Sequence, residues 1–257
     1  MRSWKLLACA LGILMSTAGG SAQLAAAQTE QPKLLPTGHP NNDYWNQHDH
    51  QLLFDFPWLA RFHDEDIKLG PPKPGEDRVV FMGDSITQGW NLAESFPAKP
   101  YINRGISGQT TPQMLVRFRQ DVINLKPKVV VILAGTNDIA GNTGPETIEQ
   151  IEENLASMAD LATANGIKVV MCSILPAYDY PWKPKTFPAQ EIDAINAWMR
   201  DYSREKSYSY VDYHSAMKDN RDGLPPNLSK DGVHPLPDGF AIMTRLVEPA
   251  IDNALKE

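Results

Sequence analysis

A serine, a histidine and an aspartate stand where acyl transfer can use them. Ser85 follows the apolar run Val79-Val80-Phe81-Met82 and the abrupt break Gly83-Asp84. Asp231 and His234 lie three residues apart in Asp231-Gly232-Val233-His234-Pro235. A serine hydroxyl is too weak a nucleophile to attack an ester without a base. An imidazole can take its proton and later return it to the leaving group. A carboxylate behind the imidazole fixes its tautomer and stabilises its charged form. The oxyanion that develops needs preorganised donors. The backbone N–H groups of Ser85 and Gly105 and the side-chain amide of Asn137 supply three. Glycine at 105 lets the backbone approach a substrate closely. Gly105 sits in Asn103-Arg104-Gly105-Ile106-Ser107-Gly108, and Asn137 in Gly135-Thr136-Asn137-Asp138. Each segment alone has an ordinary alternative. Ser85 can cap a helix, Gly105 and Gly108 can serve turns, and Asn137, Asp231 and His234 can be loop polars.

The elements that must position these groups alternate. Short apolar, β-branched runs over 78–83, 101–103, 129–133, 167–174 and 208–211 predict strands buried on both faces. Apolar residues at spacings of three and four predict helices between them. One opens at Thr111-Pro112, with Thr111 as cap. A second starts at about Glu146 and stops at Asn165-Gly166. A third covers 188–206, and a last one runs over about 238–255. This alternation predicts an α/β domain with a parallel sheet and helices on both faces. The four chemical segments fall at strand ends or just before the last helix, where open sheets of this kind bind ligands.

Four blocks in this order resemble the SGNH hydrolases, also called GDSL-type esterases and lipases. Gly83-Asp84-Ser85-Ile86 is similar to their first block, Gly105 to their second and Gly135-Thr136-Asn137-Asp138 to their third. Asp231-Gly232-Val233-His234-Pro235 is similar to their fifth. The resemblance covers about 78–255. It implies a flavodoxin-like three-layer α/β/α sandwich with about five parallel strands. It implies the same roles for Ser85, Gly105, Asn137 and His234, with Asp231 completing a triad. Ser85 does not lie in a Gly-x-Ser-x-Gly elbow, which sets the chain apart from α/β-hydrolases.

The chain has 257 residues and a formal net charge of −7. That balance, with no basic block, argues against nucleic acid as a partner. Residues 1–27 have a positive start at Arg2 and Lys5, a short apolar run and a small-residue end at Ala25-Ala26-Ala27. This predicts a signal peptide and export to the periplasm or beyond, with no stable membrane insertion after cleavage. Cleavage would take the charge to −9 and remove Cys9, leaving Cys172 as a small core hydrophobe. Residues 28–77 form an extension before the hydrolase domain at 78–257. Its dense part holds Trp45, Leu52, Leu53, Phe54, Phe56, Trp58 and Leu59, and is expected to pack on the main domain or to wall the substrate site.

The expected substrate is a small acyl ester, an acetyl group on a carbohydrate by preference. Trp90, Tyr178, Tyr180 and Trp182 are the candidate substrate-binding residues, the last three in a loop over 176–188. Lysophospholipase or arylesterase activity is the alternative within the family, and acyl transfer to a sugar hydroxyl would use the same residues. A non-catalytic carbohydrate-binding module is the alternative outside it, although none of Ser85, Asn137, Asp231 and His234 is replaced. The chemistry needs no metal or cofactor. His48-Asp49-His50 and His63-Asp64-Glu65-Asp66 lack a standard ligand spacing and read as solvated polar residues.

Overall fold

A computed structural model describes residues 43–256, with side chains from Asn46 onward. The leader read in residues 1–27, the start of the extension and the Trp45 side chain lie outside the described residues. The strands are β1 (Val79–Gly83), β2 (Tyr101–Gly105), β3 (Val129–Leu133), β4 (Lys168–Cys172) and β5 (Ser209–Val211). They form one parallel sheet in the order β2-β1-β3-β4-β5. Helices α1 (Asp43–Phe54) and α2 (His63–Leu69) precede the sheet. Short α3 (Ser85–Gln88) and α4 (Leu92–Ser95) follow β1. Then come α5 (Thr111–Asp121), α6 (Thr136–Ile139), α7 (Ile148–Ala164) and α8 (Ala189–Lys206). After β5 come α9 (Tyr213–Met217) and α10 (Pro237–Ala254). No helix of the described residues is long and apolar enough to cross a membrane.

Side chains of a strand alternate between the two faces of its sheet. Val80 and Met82 of β1, with Val130 and Ile132 of β3, pack with Met114 and Phe118 of α5, Leu155 of α7 and Ile195 of α8. Val79 and Phe81, with Val129 and Val131, pack with Met243, Val247 and Ile251 of α10 on the other face. The result is the three-layer α/β/α sandwich. Its strand order turns back at β1, so the crevice for a ligand opens at the carboxyl ends of β1 and β3. Register aligns Gly83 with both Gly105 and Leu133. The loops after β1, β2 and β3 therefore leave the sheet side by side.

Boundaries differ in places for local reasons. β2 runs two residues further, to Gly105. The cap of α5 is Thr110 rather than Thr111, because Thr110 and Gln113 close a capping box. β4 stops at Cys172, since the Asn196 side chain takes over both the N–H and the C=O of Ile174, at 2.8 and 3.1 Å.

The extension is joined to the sheet domain through polar groups more than through its rings. Gln113, Gln109 and Gln120 donate to the carbonyls of Phe56, Pro57 and Leu59, at 2.7, 2.8 and 2.7 Å. Buried Arg104 at the end of β2 donates to Asp66 and Glu65 and covers the ring of buried Phe62. Burial pushes the Asp66 carboxyl up, against the pull of Arg104. One expectation is thereby corrected: Glu65 and Asp66 serve this arginine rather than solvent alone. Phe54, Phe56, Trp58 and Leu59 keep 37–55% of their surface exposed.

Arg117 of α5 is fully buried. It donates to Asp121 (2.9 Å), to the Gly83 carbonyl (3.0 Å) and to the Gln109 side chain (2.5 Å). Burial lowers its pKa to about 10, opposed by Asp121, so it stays charged at neutral pH. Removing the countercharge strands a cation in the core. Asp121→Asn should lower unfolding free energy by roughly 3 kcal/mol. Urea denaturation checks this, and a midpoint equal to wild type would refute it.

Candidate active site

Ser85 is the first residue of α3, two positions after the end of β1. Asp84 caps α3, its Oδ1 accepting from the Ile86 N–H at 2.9 Å, and this sets Ser85 in the helix's first turn. Burial pushes the Asp84 carboxyl up to about 6, against the Ile86 hydrogen bond and the nearby His234 ring. Ser85 Oγ lies 2.8 Å from His234 Nε2. On the other side of the imidazole, His234 Nδ1 lies 2.6 Å from Asp231 Oδ2.

Asp231 and His234 come from the loop before α10. Asp231 Oδ1 accepts from the backbone N–H groups of Val233 (3.0 Å) and His234 (2.8 Å) and from Ser229 Oγ (3.0 Å). Partial burial raises the Asp231 pKa, but hydrogen bonds from the His234 backbone and ring and from Val233 outweigh it and hold it at about 2. A carboxylate only accepts, so the proton between them belongs to Nδ1. In the neutral ring Nε2 is then bare and accepts from the Ser85 hydroxyl. That is the arrangement in which an imidazole can take a proton from serine.

Asn137 begins its contacts one turn after β3. Its amide nitrogen donates to the Gln109 carbonyl at 3.0 Å and lies 3.4 Å from Asp84 Oδ2. Its oxygen accepts from Asn142 Nδ2 at 3.0 Å. Ser85, Ser107, Gly108, Asn137, Asn142, Trp182 and His234 together line a cleft of about 120 Å³. Larger hollows exist, including one of about 880 Å³ beside α10, but that one holds neither the serine nor the histidine.

Gly105 is not where the sequence reading put it. Its N–H donates to Asn103 Oδ1 at 2.9 Å, and it does not line the cleft. A Cβ there would come within 2.2 Å of the Gln88 backbone nitrogen, so this glycine lets β2 press against α3 rather than against a substrate. Gly108, with φ +78°, is the glycine at the cleft. Among the described residues its N–H meets no backbone acceptor.

The aromatic candidates separate. Trp182 lines the cleft, its ring 6.2 Å from that of His234. Tyr180 is wholly buried and stacks behind Trp182 at 5.1 Å, so it supports the wall without touching the cleft. Tyr178 is half exposed, packs with Phe187 and Arg221, and does not line the cleft. Trp90 is buried among Phe81, Phe96 and Phe240 and reaches only the larger hollow beside α10. Its position soon after the serine is offset by α3, which turns the chain back into the core.

Asn142 escaped the sequence reading. It donates to both the Asn137 oxygen and the Gly108 carbonyl (3.1 Å), and its oxygen accepts from Trp182 Nε1 at 3.1 Å. In the sequence it is one polar residue of Gly141-Asn142-Thr143-Gly144, indistinguishable from an ordinary turn.

A family model described as the GDSL-like Lipase/Acylhydrolase family matches residues 81–242. A solved GDSL-like lipase from Bacteroides thetaiotaomicron is 45% identical, with a TM-score of 0.75 over 78% of this chain and 100% of that one. Esterase TesA of Pseudomonas aeruginosa is 27% identical over 68% of this chain and 82% of its own length. An acetylxylan esterase of Xylanibacter ruminicola is 25% identical over 83% of this chain, which spans about half of that protein (51%).

Asn142→Ala should leave the fold intact and loosen Asn137 and Trp182 together. Turnover should fall roughly tenfold to a hundredfold, because small misplacements at a reacting centre are costly. Steady-state kinetics on a p-nitrophenyl ester decides it, and an unchanged kcat would show that Asn137 is positioned without Asn142.

Proposed function

The chain belongs to the GDSL-like Lipase/Acylhydrolase family and is an ester hydrolase, and we propose that it is an exported serine esterase that removes small acyl groups, acetyl above all, from carbohydrates. The observation that carries the catalytic part is the line from Asp231 through His234 to Ser85, with contacts of 2.6 and 2.8 Å. Ser85 Oγ attacks the ester carbonyl carbon while His234 Nε2 takes its proton. The carbonyl oxygen becomes an oxyanion and accepts from the backbone N–H groups of Ser85 and Gly108 and from the Asn137 amide. The second Asn137 N–H, held only at 3.4 Å by Asp84, is the one that turns to it. The intermediate collapses, the alcohol leaves with the proton from His234, and the acyl group remains on Ser85. Water then loses a proton to His234 and attacks the acyl-serine. Release of the acid returns the proton to Ser85.

The size of the cleft supports a small acyl group, since about 120 Å³ beside Trp182 is little room for a long chain. The likeness to an acetylxylan esterase supports a carbohydrate as the alcohol. The leader pattern in residues 1–27 supports export, which would bring the enzyme to such a substrate.

Ser85→Ala should abolish hydrolysis with the far-ultraviolet circular dichroism unchanged. Residual activity near wild type would refute the nucleophile. Across p-nitrophenyl esters from acetyl to palmitoyl, the wild type should prefer acetyl sharply. Faster cleavage of the palmitoyl ester would reject the small-acyl reading and keep the triad. Asn137→Ala should lower kcat by roughly a hundredfold or more, the usual cost of losing an oxyanion donor. A fully active variant would mean that other groups stabilise the oxyanion.

A further inference from the structure

The extension encloses a second hollow beside the cleft. It measures about 260 Å³ and is lined by Gln47, His48, Gln51, Trp58 and Arg61 from the extension and by Gln88 and Ser107 from the sheet domain. Ser107 also lines the catalytic cleft, so the two hollows lie on either side of it. Gln88 ends α3, the helix that Ser85 begins. Its Oε1 accepts from the Ser107 N–H at 2.7 Å, which fixes the shared wall.

The lining is one indole, one imidazole, several side-chain amides and a guanidinium. Trp58 leaves 37% of its surface open. A flat apolar face ringed by amide donors and acceptors suits a sugar, whose C–H face lies on an aromatic ring while its hydroxyls take the amides. An alkyl chain would bury those amides without partners, at a cost.

Trp58 is also held in an unusual backbone state. Its φ of 55° and ψ of 54° are left-handed, which is unfavourable for a bulky side chain and persists only where the surroundings enforce it. They do so here. The Asp55 carboxylate accepts from the N–H groups of Leu59 (2.8 Å) and Ala60 (3.0 Å). Gln109, itself buried, donates to the Pro57 carbonyl, and its own carbonyl takes the Asn137 amide. One residue thus fixes both the turn that presents the indole and the amide beside Ser85.

We propose that this hollow is a subsite for a carbohydrate unit on the alcohol side of the ester, stacked on Trp58 and bonded by Gln47 and Gln88. The proposal rests on the ester-hydrolase reading of the Ser85 cleft. It divides the substrate at Ser107, with the acyl group in the small cleft and the sugar against the extension.

The test compares kcat/KM on acetylated xylo-oligosaccharides with kcat/KM on ethyl acetate, whose alcohol is too small to fill the hollow. In Trp58→Ala the ratio of the two should fall roughly tenfold, mostly through KM on the oligosaccharide. Trp58→Phe, which keeps a stacking face, should recover part of it. Gln47→Ala, on an exposed position of α1, should lower the ratio with no backbone strain involved. Ratios within about twofold of wild type in the Trp58→Ala and Gln47→Ala proteins, both folded by circular dichroism, would overturn the subsite. A wild type that cleaves ethyl acetate but no acetylated oligosaccharide also overturns it and leaves the esterase reading standing. A wild type that cleaves neither ester overturns the esterase reading and the subsite with it.

Discussion

The buried guanidinium of Arg117 is the joint on which the site depends. It grips the carbonyl of Gly83, the last residue of β1, two positions before Ser85. It also grips the side chain of Gln109, whose backbone carbonyl holds Asn137. The end of one strand and the loop after another are therefore referred to a single charge. Asp121 keeps that charge tolerable in the core, four residues along the same helix. A neutral donor in its place would meet one of these acceptors and leave the others wanting.

Division of labour follows from this. Ser85 and Asn137 are carried by the short helices that follow β1 and β3. His234 and Asp231 come from a loop, with about 40% of each side chain exposed. The loop is tightened by its own hydrogen bonds, since one Asp231 oxygen takes two backbone N–H groups and the Ser229 hydroxyl. The second oxygen is left for His234. Ionisation of Asp231 is therefore secured locally, and the imidazole receives its orientation without deep burial.

Much of this was legible in the sequence. The runs Val79-Val80-Phe81-Met82 and Val129-Val130-Val131-Ile132-Leu133 have no polar interruption, which only strands covered on both faces require. The spacing of three between Asp231 and His234 already implied one loop. The misplaced residues share a cause. Gly105 ends β2 and Gly108 stands three residues on in the loop, and a residue without a side chain acts through the direction of its N–H, which spacing does not encode. Trp90 and Trp182 are alike as letters, but one is turned into the core by α3 and the other is pinned at the cleft by Asn142. The extension was expected to lie against the main domain through its rings, and three glutamines hold that segment by its carbonyls. Nothing in a glutamine's identity reveals which carbonyl it will take.

Cys172 is the last residue of β4, fully buried, with burial raising its thiol to about 12 and Tyr213 Oη at 3.7 Å. Thiolate is the species that oxidants, alkylating agents and partner disulfides attack. At any physiological pH this residue supplies almost none, and none within reach. The folded domain is therefore redox-silent at Cys172: that sulfur keeps the same covalent state in reducing and in oxidising surroundings.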